Sequence, residues 1–428
     1  MKTIYLLITC ILIQWGAFAQ EGVNFRNLTF NEALAQAKAE KKMVFMDCYT
    51  SWCGPCKEMT NKVFPQKAAG DYFNPRFVCV KYDMEKGEGK ELANKFEVHA
   101  YPTFIIFRPD GTIQHRVVGG DELETFIQRI ERGLNEKTSL PYLNERYEKG
   151  KMNKQELMTY KEVLSEAGED EKAGKVYKEL LPRLTSKDKV KKEFWPIYED
   201  ESCVIGSPVF DFLLANLPAI RENAGTEKVD NYLFHKYVNI LEDYILGYQK
   251  EDAVPVSLLK QQIPGLNIKQ QKTLNTMLPL AEMVSNREVK ALAVVIESKI
   301  PTANVQELKM YVFAYRAIRW QTQDADSQPQ FKETSNKLTD LIISSMENKQ
   351  ASLTLKDLQE YPIILMSLQD TMSKDCYSRL ATIGEKVLPN LPDSQEKRYI
   401  QRTLKNTENT LVQNPNTKHK ARIISIIS

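Results

Sequence analysis

"CYTSWCGPCKEM", residues 48–59, places three of the chain's seven cysteines within nine positions. Cys53 and Cys56 are separated by Gly54 and Pro55 and preceded by Trp52. Such a pair is a disulfide staple, half of a metal site, or a dithiol that exchanges electrons, and its flanks decide which. The stretch before it, "MVFMDCY" (43–49), is a short apolar run with β-branched and aromatic residues, as in a buried strand. The stretch after it, "CKEMTNKVFPQKAAGDYF" (56–73), predicts a helix broken at Pro65. The pair therefore stands where a strand ends and a helix begins. The unpaired N–H groups and partial positive charge of a helix N-terminus favour a thiolate at Cys53. Such settings lower a thiol pKa from ~8.5 to a range of ~3.5–7.5. Pro55 falls in the first turn, where its missing N–H costs little, and Gly54 leaves room for an incoming disulfide.

The alternatives fare worse. A zinc site needs four suitable ligands. There is no second Cys-x-x-Cys, and of the four histidines only His99 is placed to approach. Neither a metal nor a cofactor is expected. A structural bridge gains most by closing a long loop, and this one closes two residues. Thiol–disulfide exchange, which requires the thiolate, is the reading left.

Working outward, residues 25–133 alternate between helix and strand signals. "TFNEALAQAKAEKK" (29–42) opens with Thr29 and carries Glu32 three places on, a capping box. "RFVCVKYDM" (76–84) predicts a second buried strand, and "GKELANKFEV" (89–98) a helix. "TFIIFRPDGTIQHRVVG" (103–119) predicts a hairpin turning at Pro-Asp-Gly. "DELETFIQRIERGL" (121–134) closes as a helix with Leu123, Phe126, Ile127 and Ile130 on one face. Strands alternating with helices predict an α/β fold, a mixed central sheet flanked by helices.

These residues resemble the thioredoxin superfamily. "WCGPCK" (52–57) is that superfamily's active-site hexapeptide, and the resemblance runs from about Phe25 to Leu134. The helix before the first strand, and "KEMTNKVF" after the motif, look more like exported thioredoxin-like reductase domains than small cytosolic thioredoxin. The resemblance implies a redox-active Cys53–Cys56 disulfide. It implies that Asp47, six places before Cys53, is a buried acid exchanging a proton with Cys56, and that Lys81 pairs with it. It implies that Pro102, in "AYPTFIIF" (100–107), is a cis-proline against the disulfide, where a substrate strand meets exposed backbone. Trp52, Gly54, Pro55 and Tyr101 then shape the substrate groove, and Gly119 and Gly120 end the final strand. Tyr101 departs from the isoleucine usual before that proline. Cys48 and Cys79 are extra. Because side chains alternate along a strand, Cys79 shares the face of Asp47 and Lys81 while Cys48 points to the other. No bridge between them is expected, and both read as small core residues.

Two further regions complete the chain. Lys2, the apolar run 4–13 and Ala17-Phe18-Ala19 predict a signal peptide over 1–19 with cleavage near Ala19. The chain is then expected to be exported, periplasmic or otherwise extracytoplasmic, with no transmembrane span in the mature part. Cleavage removes Lys2 and Cys10, leaving a formal charge of +1 (from +2) and six cysteines. Near-neutral charge and the lack of a basic stripe argue against nucleic acid.

The thioredoxin-like part is assigned to 20–135, with "NEKTSLPY" (135–142) as linker. Residues 142–413 predict a large all-helical stack of hairpins, in one or two lobes with a break near 264, before a tail at 414–428. One unit, with Leu157, Tyr160 and Leu164 followed by Ala173, Tyr177, Leu180 and Leu181, resembles a tetratricopeptide repeat. The expected function is reduction or isomerisation of disulfides in protein substrates, supplied with electrons by a membrane donor, with the helices selecting clients. The alternative is a non-catalytic adaptor in which the helices bind partners and the thioredoxin-like unit is a docking module.

Overall fold

The computed structural model describes residues 22–322, 328–368 and 373–402. The signal-peptide and tail expectations lie outside them. The chain divides into two compact units, one ending at Cys203 and one beginning at Val204.

The first unit holds a four-stranded sheet: β1 (Met43–Tyr49), β2 (Phe77–Asp83), β3 (Thr103–Phe107) and β4 (Ile113–Val118), in the order β2-β1-β3-β4. β1 runs parallel to β2 and antiparallel to β3, and β3 pairs antiparallel with β4, so the sheet is mixed. α1 (Phe30–Glu40) precedes β1, and its Thr29–Glu32 capping box forms as expected. α2 (Gly54–Glu58) and α3 (Lys67–Arg76) join β1 to β2. α4 (Glu88–Lys95) leads to β3, and α5 (Leu123–Leu134) follows β4.

Alternation along β1 sends its residues into two cores. Phe45 enters one with Phe64, Phe73, Phe104 and Phe126. Val44, Met46 and Cys48 enter the other with Phe30, Leu92 and Phe107. In the first core Phe45 stacks on Phe104 at 5.6 Å between ring centroids, and Phe126 meets Phe104 edge-on at 4.7 Å. Cys79 lies in the Phe45 core and Cys48 in the opposite one, both buried free thiols.

Two local expectations change. The break expected at Pro65 is spread over a wider segment. α2 ends at Glu58, a π turn spans Met59–Val63, and α3 starts only at Lys67. The Phe64 N–H donates to the Met59 carbonyl five residues back at 2.9 Å. The wider turn turns both Met59 and Val63 into the core. The stretch read as a linker is ordered structure. Glu136–Thr138 form a 3₁₀ turn and α6 (Leu140–Glu148) begins at once, with Ser139 buried. α6 packs against β4 because that strand, at the sheet edge, has a face left to cover.

α7 (Lys154–Glu166) and α8 (Asp170–Leu180) form the expected hairpin, burying Leu157, Tyr160, Leu164, Ala173, Tyr177 and Leu180. All regular secondary structure among the second unit's described residues is helical. α9 (Thr226–Leu246), α10 (Gln271–Ser285) and α11 (Val305–Gln321) pack on one another. Residues 263–265, near the expected break, form a 3₁₀ turn inside that unit. Among the described residues no helix is long and apolar enough to cross a membrane.

Gly133 of α5 sits against the fully buried His115 of β4: a Cβ there would stand 1.9 Å from the ring's Cγ. Gly133→Ala should therefore destabilise the first unit by ~1–3 kcal/mol through overpacking, read as a lower denaturation midpoint for that unit. An unchanged midpoint would mean the helix slides freely over the sheet.

Candidate active site

The site forms where β1 runs out. After Tyr49 the chain turns through Thr50–Trp52, with the Cys53 N–H donating to the Thr50 carbonyl at 3.3 Å. Cys53 has extended backbone and is the N-cap of α2. Its Sγ accepts from the Cys56 N–H at 3.1 Å, the role a hydroxyl or carboxylate commonly fills at a helix start. Pro55 lies in the first turn, and the space beside Gly54 is open.

Cys53 and Cys56 are joined by a disulfide with 5.3 Å between Cα atoms. The sequence suggests an open sulfur, but the bridged pair is nearly covered, at 3% and 4% exposure.

Tyr101–Pro102 is a cis peptide, as the resemblance implies, and Pro102 is buried. Its carbonyl accepts from the Gly119 N–H at 2.8 Å, tying the loop to the end of β4. Gly119 has φ +86°, and a Cβ on Gly120 would press within 2.9 Å of Met59. Trp52 is 64% exposed, and its indole N–H donates to Glu85 Oε1 at 3.0 Å. Its ring meets Tyr101 edge-on at 6.0 Å, so the two aromatics form one wall beside the pair. Glu85 was not singled out from the sequence, since a charged residue in a loop carries no local signal.

Asp47 and Lys81 sit in register across β1 and β2. Asp47 is buried, and its Oδ1 has no hydrogen-bond partner among the described residues. Burial pushes its carboxyl up to about 7, opposed in part by the Lys81 charge. The contact that the resemblance implies for Lys81 does not close, and there is no ion pair between the two. Lys81 is exposed, with its ammonium 5.4 Å from the centre of the Phe25 ring. An ammonium gives up much hydration to follow a carboxylate inside, so the side chain turns outward. Cys56 and Lys81 line a cavity of about 190 Å³ together with Thr50, Lys57, Thr60 and Asn61. Among the described residues no cluster of His, Cys, Asp and Glu could hold a metal ion. His99, the one histidine weighed as a ligand, is exposed.

A dithiol capping a helix beside a buried acid and a cis-proline defines a redox site on a mixed α/β sheet. The thioredoxin family model matches residues 22–132. Thioredoxin Asp f 28 of Aspergillus fumigatus is 31% identical over 102 residues, 23% of this chain and 89% of that protein. Chloroplastic thioredoxin Y2 of Arabidopsis thaliana is 34% identical over 109 residues, 26% of this chain and 62% of that protein. The chain thus spans a little over three fifths of the length of the chloroplast thioredoxin Y relatives it matches. A solved structure, of a putative disulphide-isomerase from Bacteroides thetaiotaomicron, is 44% identical, covers 27% of this chain and 95% of its own, and has a TM-score of 0.26. The chain belongs to the thioredoxin family through its N-terminal part.

Asp47 provides a test of the site's electrostatics. Its folded pKa, about 7, lies above the ordinary value of 3.8, so between these pH values the folded state holds a proton that the unfolded state has lost. Its contribution therefore makes stability fall as pH rises from about 4 to about 7, and the loss persists above that. Asp47→Asn should remove this component, visible in unfolding midpoints at about pH 5 and about pH 8. Equal pH slopes in both proteins would place the Asp47 titration elsewhere.

Proposed function

We propose that this protein is a thiol–disulfide oxidoreductase that reduces, or isomerises, disulfides of protein substrates through Cys53 and Cys56. The observation that carries the reading is the dithiol itself: Cys53 caps α2 and Cys56 lies one turn in, joined to it by a disulfide. In the reduced protein the N-terminus of α2 stabilises a Cys53 thiolate. That thiolate attacks one sulfur of a substrate disulfide. A Cys53–substrate bond forms as the substrate's own S–S bond breaks, and the second substrate sulfur leaves as a thiolate. Cys56 then gives up its proton with help from Asp47, attacks Cys53 Sγ and releases the first substrate sulfur. Two electrons have moved to the substrate, and the protein is left with the Cys53–Cys56 bridge seen in the structure.

Substrate backbone docks beside Pro102, against the wall of Trp52 and Tyr101. The reducing direction is supported by the Gly54-Pro55 spacer, through likeness to thioredoxin. Export rests on residues 1–19, and a reductase outside the cytosol needs electrons from elsewhere. A membrane relay is the proposed donor, and the helices beyond Leu140 are proposed to select clients.

Cys56→Ser should leave the first attack intact and block resolution. Covalent adducts with substrate proteins should accumulate on non-reducing gels and disappear on adding a thiol reductant. Cys53→Ser should reduce insulin no faster than a protein-free control. If Cys56→Ser collects no adducts while Cys53→Ser still reduces insulin, disulfide exchange at this pair is excluded.

A further inference from the structure

Beyond the sheet, the α7–α8 hairpin reaches the strand end that holds the cis-proline loop. The Pro102 carbonyl accepts from the Gly119 N–H at 2.8 Å, and Thr103 pairs with Val118 across β3 and β4. The loop is therefore placed by the last residues of β4. Val118 is itself held twice. Its carbonyl accepts from Arg129 Nη2 of α5 at 2.7 Å. Its side chain abuts the turn between α7 and α8, where a Cβ on Gly168 would stand 3.0 Å from Val118 Cγ2. Gly168 has φ +76°, a conformation that suits glycine alone among common residues at so tight a contact.

Arg129 depends on the same hairpin. Its side chain is 14% exposed, and burial lowers its pKa from the ordinary value. A guanidinium so far withdrawn from water needs a carboxylate nearby to remain there. Glu166, the last residue of α7, sets its Oε1 3.9 Å from Arg129 Nε and 3.3 Å from Arg132 Nη1. Its Oε2 has no hydrogen-bond partner among the described residues. Glu166 therefore acts on Arg129 as a charge, in a place where water screens little. Asp121 also lies 3.9 Å from Arg129 Nη1, but its side chain is 37% exposed and its charge is better screened.

We propose that Glu166 and Arg129 are positioning residues for the Pro102 loop, through which the α7–α8 hairpin fixes the edge where a protein substrate docks. This rests on the dithiol reading above. Glu166 keeps Arg129 in place, Arg129 holds the Val118 carbonyl, and the end of β4 holds the Pro102 carbonyl. Without the charge at 166, Arg129 gains by turning toward water. The Val118 carbonyl then loses its donor, and the strand end shifts with the loop it carries. Neither residue lines the cavity beside Cys56, so the sulfur chemistry itself is untouched. A small disulfide needs no backbone pairing and reacts as before. A protein disulfide, whose backbone must lie beside Pro102, is slowed by the misplaced edge.

The test uses the full chain, reduced beforehand and mixed with either insulin or 5,5′-dithiobis(2-nitrobenzoate), a small aromatic disulfide. Cys48, Cys79, Cys203 and Cys376 are buried and should react slowly. The pH is about 8, above the value of about 7 to which burial raises the Glu166 carboxyl, so that it is ionised. Glu166→Gln keeps the shape and removes the charge, while Glu166→Asp keeps the charge. Arg129→Met keeps the apolar stem and removes the donor to Val118. Arg132→Gln removes the other arginine facing Glu166, one that does not run to Val118. Unfolding midpoints are taken first, and rates are compared below the lowest of them. The expected result is insulin reduction slower by ~5-fold or more in Glu166→Gln and Arg129→Met, and within about twofold of wild type in Glu166→Asp and Arg132→Gln. The rate with the small disulfide should be unchanged in all four. The positioning role is overturned if either folded variant, Glu166→Gln or Arg129→Met, reduces insulin at the wild-type rate. It is equally overturned if both substrates slow together, or if Arg132→Gln slows insulin as much, since either marks a general loss of packing. A wild-type protein that reduces neither substrate would sink the dithiol reading itself. Wild type active on both beside an unaffected Glu166→Gln sinks only the positioning role.

Discussion

The first turn of a helix presents N–H groups with no carbonyl four residues back, and here a sulfur meets one of them. Cys53 Sγ accepts from the Cys56 N–H, so the atom that would attack a substrate is also the atom that starts α2. This ties reactivity to fold. The helix can begin only where the sulfur is, and the sulfur is held where the helix field favours its charged form. The segments around it serve that placement. β1 delivers the turn, Pro55 sets the first helical residues, and Gly120 lets the β4–α5 connection close on Met59 behind them. The π turn at Met59–Val63 then drops both apolar ends into the Phe45 core, anchoring the helix from below.

A second constraint is the burial of Asp47. A carboxyl between two aromatic-rich strands is expensive to ionise, and that expense is what moves its titration toward neutrality. Had Lys81 closed a tight ion pair, the carboxyl would stay ionised and hold no proton to exchange. Lys81 instead lies outside, over the Phe25 ring, and supplies a partial field through the sheet. The separation comes from strand register and solvation together: adjacent positions on β1 and β2, one side chain inside and one out.

Much of this is legible in the sequence because the signals are local. The Thr29–Glu32 box, the alternating apolar runs of β1 and β2 and the Pro-Asp-Gly turn each depend on residues a few places apart. The motif and the six-residue offset to Asp47 locate the site on the strand. What escapes local reading is set by contacts between distant segments. The π turn depends on how Met59 packs beneath Gly120. The outward course of Lys81 depends on the cost of bringing an ammonium inside. Thr50 reads as an ordinary turn residue, and it becomes notable only once folding has covered its hydroxyl and left it unpaired. The segment 135–142 has linker composition, yet it is ordered because the edge strand β4 offers it a surface.

That last point bears on where the redox unit ends. The family match stops at residue 132, but the first compact unit continues to Cys203. Arg132 of α5 reaches Glu162 and Glu166 of α7 at 3.4 and 3.3 Å, and Arg129 donates to the Val118 carbonyl at the end of β4. These charges are partly withdrawn from water. Burial raises the Glu166 carboxyl to about 7 and lowers the Arg129 guanidinium from its ordinary value. Removing one side of such a half-buried network leaves the other uncompensated, which costs more than the intact network contributes. A chain cut after Leu134 would keep the whole sheet and both cysteines, yet would bare α5 and β4 on the side where α6 and α7 lie. α6 and α7 therefore cover the β4 side of the thioredoxin sheet, and the first compact unit continues through them to Cys203.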